Sequence, residues 1–547
     1  MIRLPTIVKR LPVIAVRWIE PNIRLFRTTR LPLVWALAIV IGVLTAAAAI
    51  LFRLAIGAIQ WTWLGSSAET VVSAVAGVPW WMVLIAPAAG GFLVGLYLTF
   101  IQPKQRAGGV ADVIEARAQG GRGLALWPGL SSAFVTALSL GSGASAGREG
   151  PVVHLGATIG TALCQTFRLP DAARRMLLAC GVASAVSASF NAPIAGVLFA
   201  HEVILGHYAL TAFVPIVIAS VLGTLMAQAW FGDVVAFVIP QYQITSLLEV
   251  PAFALLGLTC AAVAVLFQFA LIGSDWVARN IPMPLWLRPT LGGFAVGAIA
   301  IAYPEVLGVG YEATDAALKH QLPLTTLLIL LVAKTAATSI TLASRFGGGI
   351  FSPALYLGAM CGGAFGLIAA AVFPELASSH GLYAILGMGA VAAAVLGAPF
   401  STTMIVFELT GGYALSIALL ITVSIATGLT QAVHGRSYFH WQLEMRGVML
   451  HEGAHKWLVR IVHVSDFVER LAEDAEPGEF DPAAGEPYLH LTDTLETALK
   501  VFDDSGRNRL PVVDGADATR VIGHATHVRA LRFFNAELIN NQVEEHR

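Results

Sequence analysis

The chain has 547 residues, 56% of them hydrophobic and only 12% charged, with mean hydropathy +0.74. A soluble protein carries about twice that share of charge, so composition excludes a soluble globular enzyme and points to a polytopic membrane protein. Net charge is −1, yet 18 of the 34 acidic residues follow Leu450, so an apolar membrane part precedes a charged, soluble tail. Cys164, Cys180, Cys260 and Cys361 all lie in apolar segments without metal-ligand spacing and read as small packed residues.

Residues 1–32 form a basic segment, with Arg3, Lys9, Arg10, Arg17, Arg24, Arg27 and Arg30 against Glu20 alone. No signal-peptide cleavage pattern follows, and the positive-inside rule predicts a cytoplasmic N-terminus in an inner or plasma membrane. Spanning helices are expected at about 33–59 and 80–102. Apolar runs then come near 124–140, 151–165, 174–190, 192–205 and 209–230, followed by 250–275, 286–303, 322–342, 352–373, 381–397, 399–411 and 414–433. Many fall short of the roughly 20 residues that a straight span needs. Broken helices at membrane depth are tolerated only where protein or a water-filled cavity surrounds them, which predicts a channel or transporter.

One stretch stands out among these runs. Residues 141–157 carry Arg148 and Glu149 side by side between Gly147, Gly150 and Pro151. An ionisable residue at membrane depth costs roughly 2.5–3.5 kcal/mol on insertion scales and marks a functional site. Pro151 suits a helix first turn, so the stretch reads as a break followed by a helix N-terminus with free N–H groups, an anion-binding arrangement. The alternative is a Gly-rich packing surface holding an Arg–Glu pair. Two further Gly-rich stretches, 106–112 and 345–353, also open helices. If the three N-termini converge, they surround one small anion without a full charge partner, as release after binding requires. Glu149 would compete with that anion for the same donors and let go when protonated.

The two sets of runs echo each other. Gly147-x3-Pro151-x3-Leu155-Gly156-Ala157 recurs as Gly349-x3-Pro353-x3-Leu357-Gly358-Ala359, and Ala192-Pro193-x8-Glu202 as Ala398-Pro399-x8-Glu408. Gly109 faces Gly310 more weakly. The offsets of 202, 206 and 201 residues indicate an internal duplication, repeat 1 over 33–240 and repeat 2 over 241–445. A substrate site is expected where two such halves meet, and the pattern leaves open whether they are parallel or inverted.

Residues 446–487 read as a linker, and 488–547 as a small α/β domain with its tail. The expected order is a strand at 488–491, a helix from Thr494 with Asp493 near its cap, strands at 509–514 and 520–525 around a turn at Gly515, and a helix over about 526–538.

Gly147-Arg148-Glu149-Gly150-Pro151, Gly348-Gly349-Ile350-Phe351-Ser352-Pro353 and Asn191-Ala192-Pro193-Ile194-Ala195-Gly196 resemble the CLC chloride channels and chloride/proton antiporters over about residues 35–445. The resemblance implies an all-α, polytopic, inverted-repeat helical membrane fold and a homodimer with one pore per subunit. It implies transport of chloride or a similar small anion, with proton exchange possible in the coupled members. By that likeness Glu149 matches the gating and proton-carrying glutamate. Gly108, Gly109, Arg148, Gly150, Gly349, Ile350 and Phe351 fall at the anion site, and the pore tyrosine falls at Phe439, with Tyr438 adjacent. The chain departs from the family in three places, the first being Phe439 at the pore tyrosine, which a one-residue slip to Tyr438 would restore. Gly108 stands where a serine hydroxyl is frequent, which opens fluoride as well as chloride. Val203, beside Glu202, stands at the inner proton-relay acid of many antiporters, as in passive channels. Residues 488–538 resemble a CBS motif, with 456–473 as a degenerate partner; Arg529 stands where its ribose-binding pattern has Asp, which argues against a nucleotide.

Other motifs read as incidental. His154 and His201 are read as packed histidines, with a proton relay as the alternative, and Lys334 as pairing with an acid or a helix C-terminus. Arg148 is expected to brace the fold more than touch the ion. No strand precedes Gly141-x-Gly143-x3-Gly147, which discounts a dinucleotide loop, and no cofactor or nucleic acid is expected. His451-Glu452-Gly453-Ala454-His455 matches a zinc-protease pattern in letters, but Gly453 weakens the helix that pattern needs.

Overall fold

The computed structural model describes residues 30–118, 124–232, 249–374, 379–410, 415–448, 462–470, 486–513 and 520–546, with 19, 20, 23, 24 and 26. The chain divides into two compact units, Met1–Trp441 and Gln442–Arg547. The first is helical. Its elements are α1 Leu31–Leu64, α2 Val71–Val75, α3 Trp80–Phe100, α4 Val110–Ala118, α5 Leu126–Gly141, α6 Glu149–Thr166, α7 Asp171–Phe190, α8 Pro193–Phe199 and α9 Leu210–Phe231. The second half continues with α10 Val250–Asn280, α11 Leu287–Ala302, α12 Tyr311–Leu318, α13 Leu324–Ala343, α14 Phe351–Val372, α15 His380–Leu396, α16 Pro399–Thr410, α17 Ser416–His434 and α18 Tyr438–Glu444. Seven of the described helices are long and apolar enough to cross a membrane.

Backbone chemistry sets where helices stop. Both α7 and α15 end on a left-handed residue, Asn191 at φ 57° and Gly397 at φ 67°, and an Ala-Pro pair then opens the next helix. Left-handed backbone suits Gly and Asn, and Pro suits a first turn whose N–H has no partner. The run expected over 192–205 is α8 followed by a π-helical turn at Ala200–Leu205. The short helices α2, α4 and α12 were absent from the expected apolar runs, because half-polar stretches such as Tyr311–Leu318 give no strong apolar signal.

The duplication is visible in the contacts. Gly147 N–H donates to the Gly349 carbonyl at 2.7 Å, and Gly349 N–H to the Gly147 carbonyl at 2.7 Å, in an antiparallel bridge. Gly347 N–H donates to Ser139 Oγ at 3.0 Å, while Ser145 N–H, its counterpart 202 residues earlier, donates to Thr341 Oγ1 at 3.2 Å. A Cβ on Gly91 would lie 2.1 Å from the Pro289 carbonyl oxygen, and a Cβ on Gly293 would lie 2.1 Å from that of Pro87. Contacts that return with the two halves exchanged are what a two-fold axis produces. The bridge is antiparallel, as a two-fold relation between the halves requires. The step in offset from 202 to 206 falls within α14, whose 22 residues exceed the 18 of α6 by four.

The second unit holds α19 Val464–Phe467, β1 Glu469–Arg470, β2 Leu489–His490, α20 Leu495–Ser505, β3 Arg509–Val513, β4 Val521–Thr526 and α21 His527–His546. The sheet order is β1-β4-β3-β2, antiparallel except for the parallel β2–β3 pair. Its core gathers Val464, Phe467, Leu489, Phe502, Leu510, Val512 and Ala525. The cap of α20 is Thr494, whose Oγ1 accepts Thr497 N–H at 3.3 Å, while Asp493 instead accepts His490 N–H at 2.6 Å. Residues 462–470, expected in a degenerate second copy, join this same fold: Leu495 N–H donates to the Val462 carbonyl at 2.7 Å, and β1 forms the sheet edge. Gly515 and the His451–His455 motif lie outside the described residues, as does nearly all of the basic N-terminal segment.

The reciprocal packing of α3 on α11 sets an expectation for stability. Gly91→Val and Gly293→Val each drive a side chain into backbone and should lower the melting temperature in detergent to a similar extent. Gly428→Ala, where nothing lies within 4 Å of the added carbon, should not lower it.

Candidate functional site

Three helix N-termini, those of α4, α6 and α14, meet next to the Gly147–Gly349 bridge. Gly150, in the first turn of α6, is the meeting point. A Cβ there would lie 3.4 Å from the Gly349 Cα, just before α14, and 3.8 Å from Val110 Cγ2, the first residue of α4. Tyr311, the first residue of α12, reaches the same place with its side chain, donating its hydroxyl to Glu149 Oε1 at 2.8 Å. First-turn N–H groups have no partner within their own helix and carry the positive end of the helix dipole. Their convergence makes a buried, electropositive spot without a full cation.

Glu149 is the first residue of α6 and is 2% exposed. Its carboxylate reaches across to repeat 2. Oε1 accepts from Tyr311 and, at 2.6 Å, from Ser352 Oγ in the first turn of α14. Oε2 is buried without a hydrogen-bond partner. An unsatisfied buried acceptor costs about 1–3 kcal/mol, so the side chain is held firmly on one oxygen and poorly on the other.

Arg148, adjacent in sequence, is turned elsewhere. It pairs with Glu69, which also takes Arg53 Nε at 2.7 Å, and its guanidinium lies 5.1 Å from the Tyr311 ring centroid. Arg53, Glu69, Arg148, Tyr311 and the 307–310 backbone line a cavity of about 300 Å³. Glu312 accepts from Val72 N–H at 2.8 Å and from Ser73, fixing α2 on this wall. Lys334, fully buried, donates to the Val306 and Gly308 carbonyls at 2.9 Å each, the end of the 3-10 turn Pro304–Val306, and so holds the segment that leads into α12. This is the helix C-terminus alternative for Lys334.

The other expected site residues are placed as follows. Gly349 belongs to the bridge, Ile350 caps α14, and the buried Phe351 ring packs 5.0 Å from Phe190 and 6.0 Å from Phe199. Gly108 and Gly109 do not offer free amides. Gly108 N–H donates to Ser132 Oγ at 3.0 Å, and Gly109 N–H to Asp112 Oδ2 at 2.9 Å, a carboxylate held in turn by Arg106. Tyr438 and Phe439 are both buried at the start of α18, their rings 6.4 Å apart. Val203 sits half-buried in the π-helical turn. Glu202 is committed to structure: its carboxylate accepts Phe400 and Ser401 N–H, at 3.0 and 2.7 Å, capping α16. Its repeat mate Glu408 accepts Ile194 and Ala195 N–H, at 2.9 and 2.7 Å, capping α8. His201 packs its ring against Tyr208 and bonds the Val197 carbonyl at 2.9 Å. Sequence reasoning missed Tyr311, Ser352 and Glu69. The register of Gly310 with Gly109 was the signal for Tyr311, since it marked a fourth helix start.

The sequence profile of the voltage gated chloride channel family matches residues 90–431. This chain is a member of that family. It is 33% identical over 390 residues to a ClcB-like chloride channel protein of Ralstonia nicotianae, covering 71% of this chain and 91% of that one. It is 31% identical over 414 residues to the H(+)/Cl(-) exchange transporter ClcA of Cronobacter sakazakii, covering 74% and 87%. Among solved structures, a slow cyanobacterial Cl−/H+ antiporter superposes with TM-score 0.67 over 76% of this chain and 97% of that one, at 24% identity. The membrane unit shares the helical fold of that antiporter.

The crossed caps give a paired expectation. Glu202→Ala and Glu408→Ala each strip two backbone N–H groups of their acceptor, so each should destabilise the protein by about 0.5–2 kcal/mol, read as comparable drops in detergent melting temperature. A large drop for one alone would contradict the two-fold reading.

Proposed function

We propose that this protein exchanges chloride for protons across a membrane, with Glu149 as both gate and proton carrier. The observation that carries the reading is the Glu149 carboxylate held by Ser352 Oγ in the first turn of α14, beside the helix starts where an anion would bind. As a carboxylate it is itself the anion at that spot. When it takes a proton, its attraction to the dipole ends falls away, an interaction worth roughly 0.3–1 kcal/mol per helix end and up to about 2 in buried settings. The neutral side chain then leaves and the first-turn N–H groups of α6 and α14 hold chloride in its place. Loss of the proton returns the carboxylate and expels the anion. Arg148, occupied by Glu69, leaves the passing anion without a full counter-charge, which keeps binding weak enough for release.

A second reading, passive chloride conduction, is favoured by Val203, which cannot carry a proton, and by Glu202, whose carboxylate caps α16. Gly108 brings no hydroxyl to the site, so fluoride belongs in the same assay. The family likeness adds a homodimer with a pore in each subunit and cytoplasmic termini. The β2-α20-β3-β4-α21 order supports a CBS-like fold for the second unit, and Arg529, paired with Glu469 at 2.7 Å, argues against a nucleotide there.

Proteoliposomes under a chloride gradient, with voltage clamped by a potassium ionophore, separate these readings. We expect uphill proton movement that Glu149→Ala abolishes while anion flux persists. Chloride flux without proton movement in the unaltered protein would make Glu149 a gate alone. No flux of chloride or fluoride would overturn the transport reading.

A further inference from the structure

The place of the absent hydroxyl at Gly108 is not empty. A Cβ on Gly108 would lie 2.4 Å from His154 Nε2 and 2.5 Å from His154 Cε1. A side chain at position 108 therefore requires the imidazole to move, so the glycine and the histidine share one space. His154 lies five residues into α6 from Glu149, about 7.5 Å along the helix, so it sits deeper on the same element that carries the gate. It is 6% exposed, and its Nδ1 is buried without a hydrogen-bond partner.

The neighbouring polar groups are already committed. Ser132 Oγ donates to the Pro128 carbonyl at 2.8 Å and accepts the N–H of Gly108, and Thr158 Oγ1 donates to the His154 carbonyl at 2.8 Å. Gly109 N–H is taken by Asp112. The imidazole is left as the polar group at this point with a ring nitrogen to spare. A neutral imidazole carries one N–H donor, which bonds an anion without fixing a full charge beside it.

We propose that His154 supplies the side-chain contact to the anion beside α4 and thereby sets anion selectivity in this protein, Gly108 being the residue that makes room for it. The proposal rests on the transport reading above. It assigns to His154 a role that its burial in the core alone would not call for, since a packed aliphatic side chain would fill the same space without leaving a ring nitrogen unpaired.

The test compares the full-length protein with His154→Ala, His154→Gln and the double variant His154→Ala/Gly108→Ser, which places a hydroxyl in the vacated space. Chloride binding is measured by titration calorimetry in detergent, and flux ratios of chloride, nitrate and fluoride are measured in proteoliposomes. Loss of one hydrogen bond to an anion should weaken chloride binding about ten-fold in His154→Ala and change the chloride-to-nitrate ratio. The double variant should regain binding with a third ratio, and His154→Gln, which keeps a donor, should bind more tightly than His154→Ala. Unchanged binding and unchanged ratios in a folded His154→Ala would overturn the proposal while leaving the transport reading intact. If His154→Ala does not fold, a His154→Gln protein with the binding and ratios of the unaltered chain supports the proposal only when Gly108→Ala, which presses on the ring, shifts them; no shift in either overturns it. Absence of chloride binding and flux in the unaltered protein would instead remove the transport reading itself.

Discussion

Two hydrogen bonds between Gly147 and Gly349 fix the geometry on which the rest of the membrane unit depends. Each glycine comes just before a helix, α6 or α14, and the antiparallel bridge sets those helix starts face to face. Once they are joined there, the first-turn N–H groups of both repeats open on the same small volume. The start of α4 then closes on it from one half, and the Tyr311 side chain of α12 reaches it from the other. The bridge is close-packed: a Cβ on Gly147 would fall 2.8 Å from Glu149 Oε2 and 3.1 Å from Ser352 N, so a larger residue there would press on the gate carboxylate. The same crossing recurs away from the centre, where Glu202 caps α16 and Glu408 caps α8. These two carboxylates cost the fold little because each has two backbone donors, and they tie the ends of the repeats as the glycines tie the middle.

The charges near the centre are arranged so that none is trapped. Arg148 follows Gly147 directly and precedes Glu149, yet pairs with Glu69. Had it paired with Glu149, a buried ion pair would hold the carboxylate, and breaking such a pair typically costs several kcal/mol. Instead Glu149 rests on two neutral hydroxyls and on dipole ends, with one oxygen unbonded. On the proposed reading that is a gate poised between two arrangements, one that a proton or a competing anion can move. Lys334 follows the same logic, with its charge spread on the carbonyls before α12 and away from the site.

Much of this was legible in the sequence because duplication left matched letters. The Gly-x3-Pro and Ala-Pro-x8-Glu pairs located both bridge glycines and both capping glutamates, and the apolar runs located the long helices closely. What the letters could not show was direction. Glu202 and Glu408 were matched letters of the repeat without a role, whereas each reaches across the two-fold axis to cap a helix of the other repeat. The amides of Gly108 and Gly109 looked free because a side-chain acceptor such as Ser132 or Asp112 leaves no periodic trace. Tyr311 and Ser352 became visible as partners of Glu149 only once α12 and α14 of the second repeat were seen beside α6. His154 read as a packed histidine, and it is packed; only the Gly108 contact gives its ring nitrogens a meaning. In the second unit the strand and helix order was correct, but residues 462–470 proved to be an edge of the same sheet, since two-residue strands have no alternation to read.

The central claim is that Glu149 occupies the place of the transported anion. The most direct measurement is an anomalous-scattering crystal structure of Glu149→Gln grown in bromide. The account predicts a bromide peak at the first-turn amides of α6 and α14, beside Gly150, Ile350 and Phe351, with the glutamine side chain displaced from Tyr311 and Ser352. A glutamine still bonded to both hydroxyls, with no bromide at those helix starts, would contradict it.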